Sequence, residues 1–314
     1  MPELRVAGRC FTVEPGSNLL DALLDNGQAV PYSCRAGSCQ ACLVRCSEGE
    51  PDDALPDALS PQQRALGWRL ACQCRVVEDL GVELFDPTRD AMPARVQGCD
   101  WLSPNVLRLR LLPERPVRYR AGQHLQLWAR AEVARPYSLA SLAHDDPWLE
   151  FHLDCSRPGA FSDRARTLRV GDALGVGELH GGALHYDPEW QEMPLLLLAA
   201  GTGLAPLWAV LREALQREHR GPIRLLHLAR DRAEHYLADE LLGLQRQYPQ
   251  LQVELIEAAG LEQALAQLRL VSRQTRALLC GDPGSLEAFA RRLYLAGLQR
   301  SQMFADCFLP HAPA

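Results

Sequence analysis

Along the chain the rhythm of apolar and polar positions changes twice. Up to about residue 85, short alternating runs are separated by turns. Arg9–Val13 alternates as a strand, Pro15-Gly16-Ser17 leads into the helical spacing of Asn18–Asn26, and Gly27 stops it. The stretch 86–94 (DPTRDAMPA) sets two prolines among small and charged residues and reads as a linker. Residues 95–185 carry strand-like runs at Val106–Leu112, His124–Trp128 and Trp148–Leu153 between glycines and prolines, which predicts an antiparallel barrel or sandwich. After Pro194, apolar runs (Leu195–Ala200, Ile223–Leu228, Leu251–Ile256, Ala277–Cys280) alternate with helical stretches, the mark of βαβ units on a buried parallel sheet. The uncharged run 193–211 has nearly the length of a membrane span. Gly201, Gly203 and Pro206 split it into strand, tight turn and helix start, so no membrane partner is expected.

Composition narrows the function classes. The 314 residues carry a net charge of -6, with no basic excess to serve as the footprint of a nucleic-acid partner. There is no lysine, which excludes Schiff-base chemistry and a lysine-bearing phosphate loop. Residues 1–90 hold 14 acids against 8 arginines, so the whole imbalance sits in the N-terminal third, where an acidic face could steer a basic partner. Eleven cysteines follow an N-terminus without the apolar stretch of a signal peptide, and the expectation is a reducing cytoplasm. In that compartment clustered thiols bind metal or do redox chemistry rather than form disulfides.

The strongest chemical signal is Cys34-x4-Cys39-x2-Cys42, followed after 29 residues by Cys72, with Cys74 as a second candidate for the fourth position. Four thiolates suit a [2Fe–2S] cluster, two on each iron, and Gly37-Ser38 permits a tight backbone path around them. Zinc is the alternative, although only Cys39 and Cys42 stand at the spacing of a zinc pair. Further on, Arg135-Pro136-Tyr137-Ser138 offers a ring, a hydroxyl and a cation to a flavin, and Gly159-Ala160-Phe161-Ser162 opens a helix toward a pyrophosphate. The turn Gly201-Thr202-Gly203, followed by Pro206, permits close approach to a dinucleotide. Cys280-Gly281 ends a buried strand, where Cys280 is either a small core residue, its default role, or faces the ligand crevice at the strand's carboxyl end.

The segment Pro31-Tyr32-Ser33-Cys34-Arg35-Ala36-Gly37-Ser38-Cys39-Gln40-Ala41-Cys42 resembles the cluster loop of plant-type [2Fe–2S] ferredoxins. The match of Leu70-Ala71-Cys72-Gln73 to that family's pattern favours Cys72 as fourth ligand, with Cys74 and Cys46 as packing residues. In order, the motifs resemble the ferredoxin–NAD(P) reductase superfamily, and the whole chain is similar to the iron–sulfur flavoprotein reductases of bacterial multicomponent oxygenases. The resemblance implies a multidomain chain. Residues 1–90 would form a β-grasp-like α+β ferredoxin domain, 94–188 an antiparallel β-barrel for FAD, and 189–314 an α/β parallel-sheet nicotinamide domain.

It also implies that Arg135, Tyr137 and Ser138 contact FAD, and that Gly159, Phe161 and Ser162 hold its pyrophosphate. Gly201, Thr202, Gly203 and Pro206 would line the dinucleotide site, with Cys280 and Gly281 near the reactive ring. Asp306 and Phe308 match the family's terminal acid and aromatic, so that Ser138, Cys280 and Asp306 form the catalytic set and Phe308 shields the flavin. One departure is a loop from Gly177 (GELHGGALHY) longer than the family's turn. The implied function is transfer of hydride electrons from NADH, with NADPH possible, through FAD and the cluster. They would then pass one at a time to an oxygenase component docking near the acidic domain. A dehydrase or other acceptor, or a redox sensor without turnover, is the alternative reading.

Overall fold

The computed structural model describes residues 1–309, arranged around three large sheets and a small three-stranded one of Ser17–Asn18, Cys74–Val76 and Asp52–Asp53. The first is a five-stranded mixed sheet in the order Arg9–Thr12, Glu3–Val6, Leu80–Leu84, Leu43–Glu48, Trp68–Leu70. Its face is covered by the helix Leu19–Asp25, which buries Leu19, Leu20 and Leu23 against Leu4, Val44, Leu70 and Leu80. That helix starts where expected, because the Asn18 side chain accepts from the backbone amides of Leu20 (3.1 Å) and Asp21 (3.3 Å). It stops at Gly27, whose φ of 72° lies in the left-handed region.

The second sheet is antiparallel, in the order Val133–Ser138, His124–Arg130, Ala173–His180, Met92–Trp101, Val106–Pro113, Leu149–Asp154. Its two edges approach each other through the bond from the Ala140 amide to the Glu150 carbonyl (2.8 Å), which curls the sheet into a barrel. Leu109, Leu111, Leu125, Leu127, Phe151 and Leu153 fill it. Two expectations are corrected here. The linker 86–94 is a short helix, Pro87–Asp90, followed by a strand that begins at Met92. The segment from Gly177 is not a loop at first: Gly177–His180 completes the strand Ala173–His180, and His180 pairs with His124.

The third sheet is parallel, in the order Leu251–Glu257, Ile223–Ala229, Leu195–Ala200, Arg276–Gly281, Met303–Cys307. Every residue of Leu195–Ala200 is buried, as a strand covered by helices on both faces requires. The uncharged run 193–211 becomes this strand, the turn Gly201–Gly203 and the helix Leu204–Gln216. Among the described residues no helix is long and apolar enough to cross a membrane. The strand order reverses between Leu195–Ala200 and Arg276–Gly281, and Gly201–Gly203 and Gly281 lie at their carboxyl ends, the switch point where open α/β sheets take their ligands.

Candidate functional site

The cysteine loop brings its thiols together in two pairs. The Cys34 amide lies 3.4 Å from the Cys39 sulfur, and the Cys39 amide lies 3.3 Å from the Cys34 sulfur. Thirty residues later in sequence, Cys72 faces Cys42, thiol to thiol. The Cys39 thiol holds the Cys34 thiol well below its ordinary range, helped by the Ser38 side chain and the amides of Cys39 and Ala36. The Cys42 thiol and the Gln73 amide do the same for Cys72. Cys74 is placed differently: it is fully buried in the core of the first sheet, and burial pushes its thiol up. Cys46 is half-buried and pushed up to about 11 by the same cause.

Two separate thiol pairs are the donor set of a centre with two irons. Arg35 and Gln40, both with φ of 52°, and Gly37 with φ of 80° wind the loop around that space. Each non-glycine residue in this region costs on the order of 1 kcal/mol, so the loop needs anchors from outside.

In the barrel, Arg135 and Tyr137 lie on one side of their strand, while Ser138 ends it on the other, buried. The Tyr137 ring packs on Phe161, centroids 5.0 Å apart. Phe161 is itself buried in the barrel core, so its side chain supports Tyr137 rather than reaching a pyrophosphate. The Ser162 hydroxyl donates to the carbonyls of Arg157 (3.0 Å) and Gly159 (3.1 Å), leaving backbone amides as the available donors of that turn. His124 stands opposite Ser138 in the strand pairing, and its Nδ1 is buried without a partner. That orphaned nitrogen fits a site completed by a bound group.

At the switch point the glycines serve the protein first. A side chain on Gly203 would collide with the backbone carbonyl of Cys280, and one on Gly281 (φ 151°) would lie 2.6 Å from the Ala200 Cβ. These residues let two strand ends meet, a packing role beside the tight turn and close approach expected of Gly201 and Gly203. Gly201 is the open position: its φ is 54° and nothing lies within 4 Å of its would-be Cβ. Thr202 is half-buried and Pro206 is buried in the first turn of its helix. Cys280 is 0% exposed instead of facing an open crevice, and burial raises its thiol. Asp306 pairs with Cys280 across the sheet, and burial pushes its carboxyl up while His124 opposes. The Phe308 amide donates to the Gly281 carbonyl (2.8 Å), which anchors the terminal aromatic beside the turn.

His227 is a site residue that sequence reasoning passed over. It is 0% exposed, with Nε2 3.1 Å from the Gly201 carbonyl and Nδ1 3.4 Å from Nδ1 of His235. A carbonyl only accepts, so Nε2 carries the proton, and the ring ties the glycine turn to the neighbouring strand. Burial pushes its pKa down to about 3. A folded-state value below the unfolded one adds stability above pH 6.5, and that stability is lost as pH falls toward 3. Acidification from pH 7 to pH 5 is expected to cost about 2 kcal/mol through this ring. Urea unfolding checks it: wild type should lose that much more than His227→Gln, and equal losses would contradict it.

Comparison with known proteins adds the decisive observation. Residues 4–77 match the 2Fe-2S iron-sulfur cluster binding domain and residues 197–292 the oxidoreductase NAD-binding domain. The chain is 30% identical over 319 residues to the ferredoxin–NAD(P)(+) reductase component of the naphthalene 1,2-dioxygenase/salicylate 5-hydroxylase systems of a Ralstonia species, covering 96% of both. The chain belongs to the iron–sulfur flavoprotein reductases of multicomponent oxygenases. Reductase component 1 of a Comamonas terephthalate 1,2-dioxygenase is 28% identical, with 95% of this chain and 94% of that one covered. The cytochrome P450 reductase of Amycolatopsis has the same fold, with TM-score 0.67, 26% identity and 99% of each chain covered. This reductase is therefore an oxidoreductase whose cofactors are a [2Fe–2S] cluster, FAD and NAD.

Proposed function

We propose that this reductase takes electrons from NADH and delivers them singly to an oxygenase component in the cytoplasm. The observation that carries the reading is the two-pair arrangement of Cys34 with Cys39 and of Cys42 with Cys72, one pair for each iron. Bound FAD supplies the exchange between hydride and single-electron chemistry. Tyr137 and Ser138 would hold its ring, Arg135 and the amides of the Gly159–Ser162 turn its phosphates. Gly201, Thr202 and Gly203 would bind the dinucleotide, with Gly281 and Asp306 at the reacting edge, the buried Cys280 packed beneath it and Phe308 covering it. The chain's task is positional: these groups orient the rings and exclude water, and no acid–base pair has to cleave a bond.

The cluster loop has two sides, and they support an exit route. On the barrel side the Cys39 carbonyl accepts from Gln126 and the Ser38 backbone meets His124, whereas Arg35 and Ala36 are exposed and Leu55, itself 41% exposed, lies beside Gly37. We place the acceptor on that outer side, within the acidic N-terminal unit. The domain limits 1–90, 94–188 and 189–314 belong to the same proposal. Steady reduction of ferricyanide and cytochrome c by NADH is the test. A cofactor-loaded protein that accepts electrons and then stops would overturn turnover in favour of a sensor.

Arg230 and Arg232 are both exposed after the strand Ile223–Ala229, where an arginine can grip a 2′-phosphate, and the coenzyme choice turns on Arg230 because an acid already holds it. Glu234 holds it at 3.4 Å, and Asn105 of the barrel fixes Glu234 at 2.8 Å. The carboxylate competes with a phosphate for the guanidinium and favours NADH. Glu234→Gln is expected to shift the kcat/KM ratio about tenfold toward NADPH, equivalent to about 1.4 kcal/mol. An unchanged ratio would remove Arg230 from the account.

A further inference from the structure

The strand His124–Arg130 is buried on both sides, although one side of a barrel strand ordinarily meets water. Leu125 and Leu127 fill the barrel, yet Gln126 on the opposite face is 3% exposed and Trp128 equally covered. What covers them is the N-terminal unit. Phe85 stacks on Trp128 with centroids 4.3 Å apart, and Trp68 packs on Phe85 at 5.7 Å. Gln63 donates to Glu178 on the adjacent strand. At the end nearest Ser138, the Gln126 amide donates to the carbonyl of Cys39, 87 residues away, and His124 bonds the backbone of Ser38.

The peptide held by Gln126 is the one that enters Gln40, a residue in the left-handed region. A strained conformation persists only where its surroundings over-determine it. We propose that Gln126, aided by His124, is the positioning residue that seats the Cys34–Cys42 loop on the outer face of this strand and orients it toward Ser138. The inference rests on the reading of the four cysteines as cluster ligands. It goes further in making the loop's place depend on a barrel side chain that touches no cofactor ligand's sulfur.

Gln126→Leu keeps much of the volume but removes the donor, leaving the Cys39 carbonyl buried without one. Gly177→Ala perturbs the same side chain from behind, since its methyl would lie 2.9 Å from the Gln126 Cβ. In the full-length, cofactor-loaded protein both variants are expected to quicken amide hydrogen exchange across residues 34–42, by tenfold or more in Gln126→Leu. The EPR line shape of the reduced cluster should change with it. After mixing with NADH, cluster bleaching should lag flavin bleaching by a further tenfold. Wild-type exchange and bleaching in a variant that retains its iron and FAD would overturn the proposal. Wild-type protein lacking an iron–sulfur chromophore would instead overturn the underlying reading, while the exchange measurement would still decide whether Gln126 seats the loop.

Discussion

Cys42→Ala is expected to abolish cluster assembly and lower cytochrome c reduction by at least about a hundredfold, while ferricyanide reduction, which draws on the flavin, persists. One thiol of a pair cannot hold an iron in place of two, and the partner Cys72 is left half-exposed and free to oxidise. The control is Cys74→Ala. Its thiol is buried in the core, pointing to packing, so the variant should keep its iron and lose only about 1 kcal/mol of stability. Iron and sulfide analysis with visible absorption decides between the two positions. Iron lost from Cys74→Ala but retained in Cys72→Ala would reverse the assignment.

The second large effect is expected at Gly203. Its φ of -58° suits any residue, so alanine is not excluded by backbone preference. The obstacle is the Cys280 carbonyl, against which the methyl would be driven. Backbone cannot rotate away as a side chain can, so the two strand ends must part. The cost is about 3 kcal/mol of stability, at the upper end for overpacking. NADH kcat/KM should fall tenfold or more with it, because the proposed dinucleotide site is built on those strand ends. Gly201→Ala should behave differently: it meets no atom and carries only the left-handed penalty of about 1–2 kcal/mol. Wild-type stability and kinetics in Gly203→Ala would contradict this account of the turn.

Local patterns in the sequence made some elements legible and hid others. Asn18 and Gly27 bracket their helix by capping chemistry that acts within a few residues, and Leu195–Ala200 announces a buried parallel strand by having no polar position. The strand Met92–Trp101 was hidden because Pro87 and Pro93 speak for a loop locally. Its pairing with Val106–Pro113 and Ala173–His180 overrides them. The strand extension Gly177–His180 was hidden for the same reason, its glycines suggesting a turn where the neighbouring strand imposes register.

The site followed the same division. The cysteine spacing fixes a loop with three thiols in one place, but the choice between Cys72 and Cys74 depends on which one the core absorbs. Gln126 and His227 carried no signal at all: each acts on a backbone carbonyl far away in sequence, Cys39 and Gly201, and a carbonyl has no letter in the sequence. A residue such as Gln126 becomes visible only when a strand proves to be buried on both faces.

The most direct test of the central claim is an anaerobic NADH titration of the purified reductase, followed by absorption and low-temperature EPR. The account predicts bleaching of both flavin and cluster bands and a single rhombic signal from one reduced [2Fe–2S] centre per chain. Zinc in metal analysis, with no cluster band after anaerobic reconstitution with iron and sulfide, would contradict it.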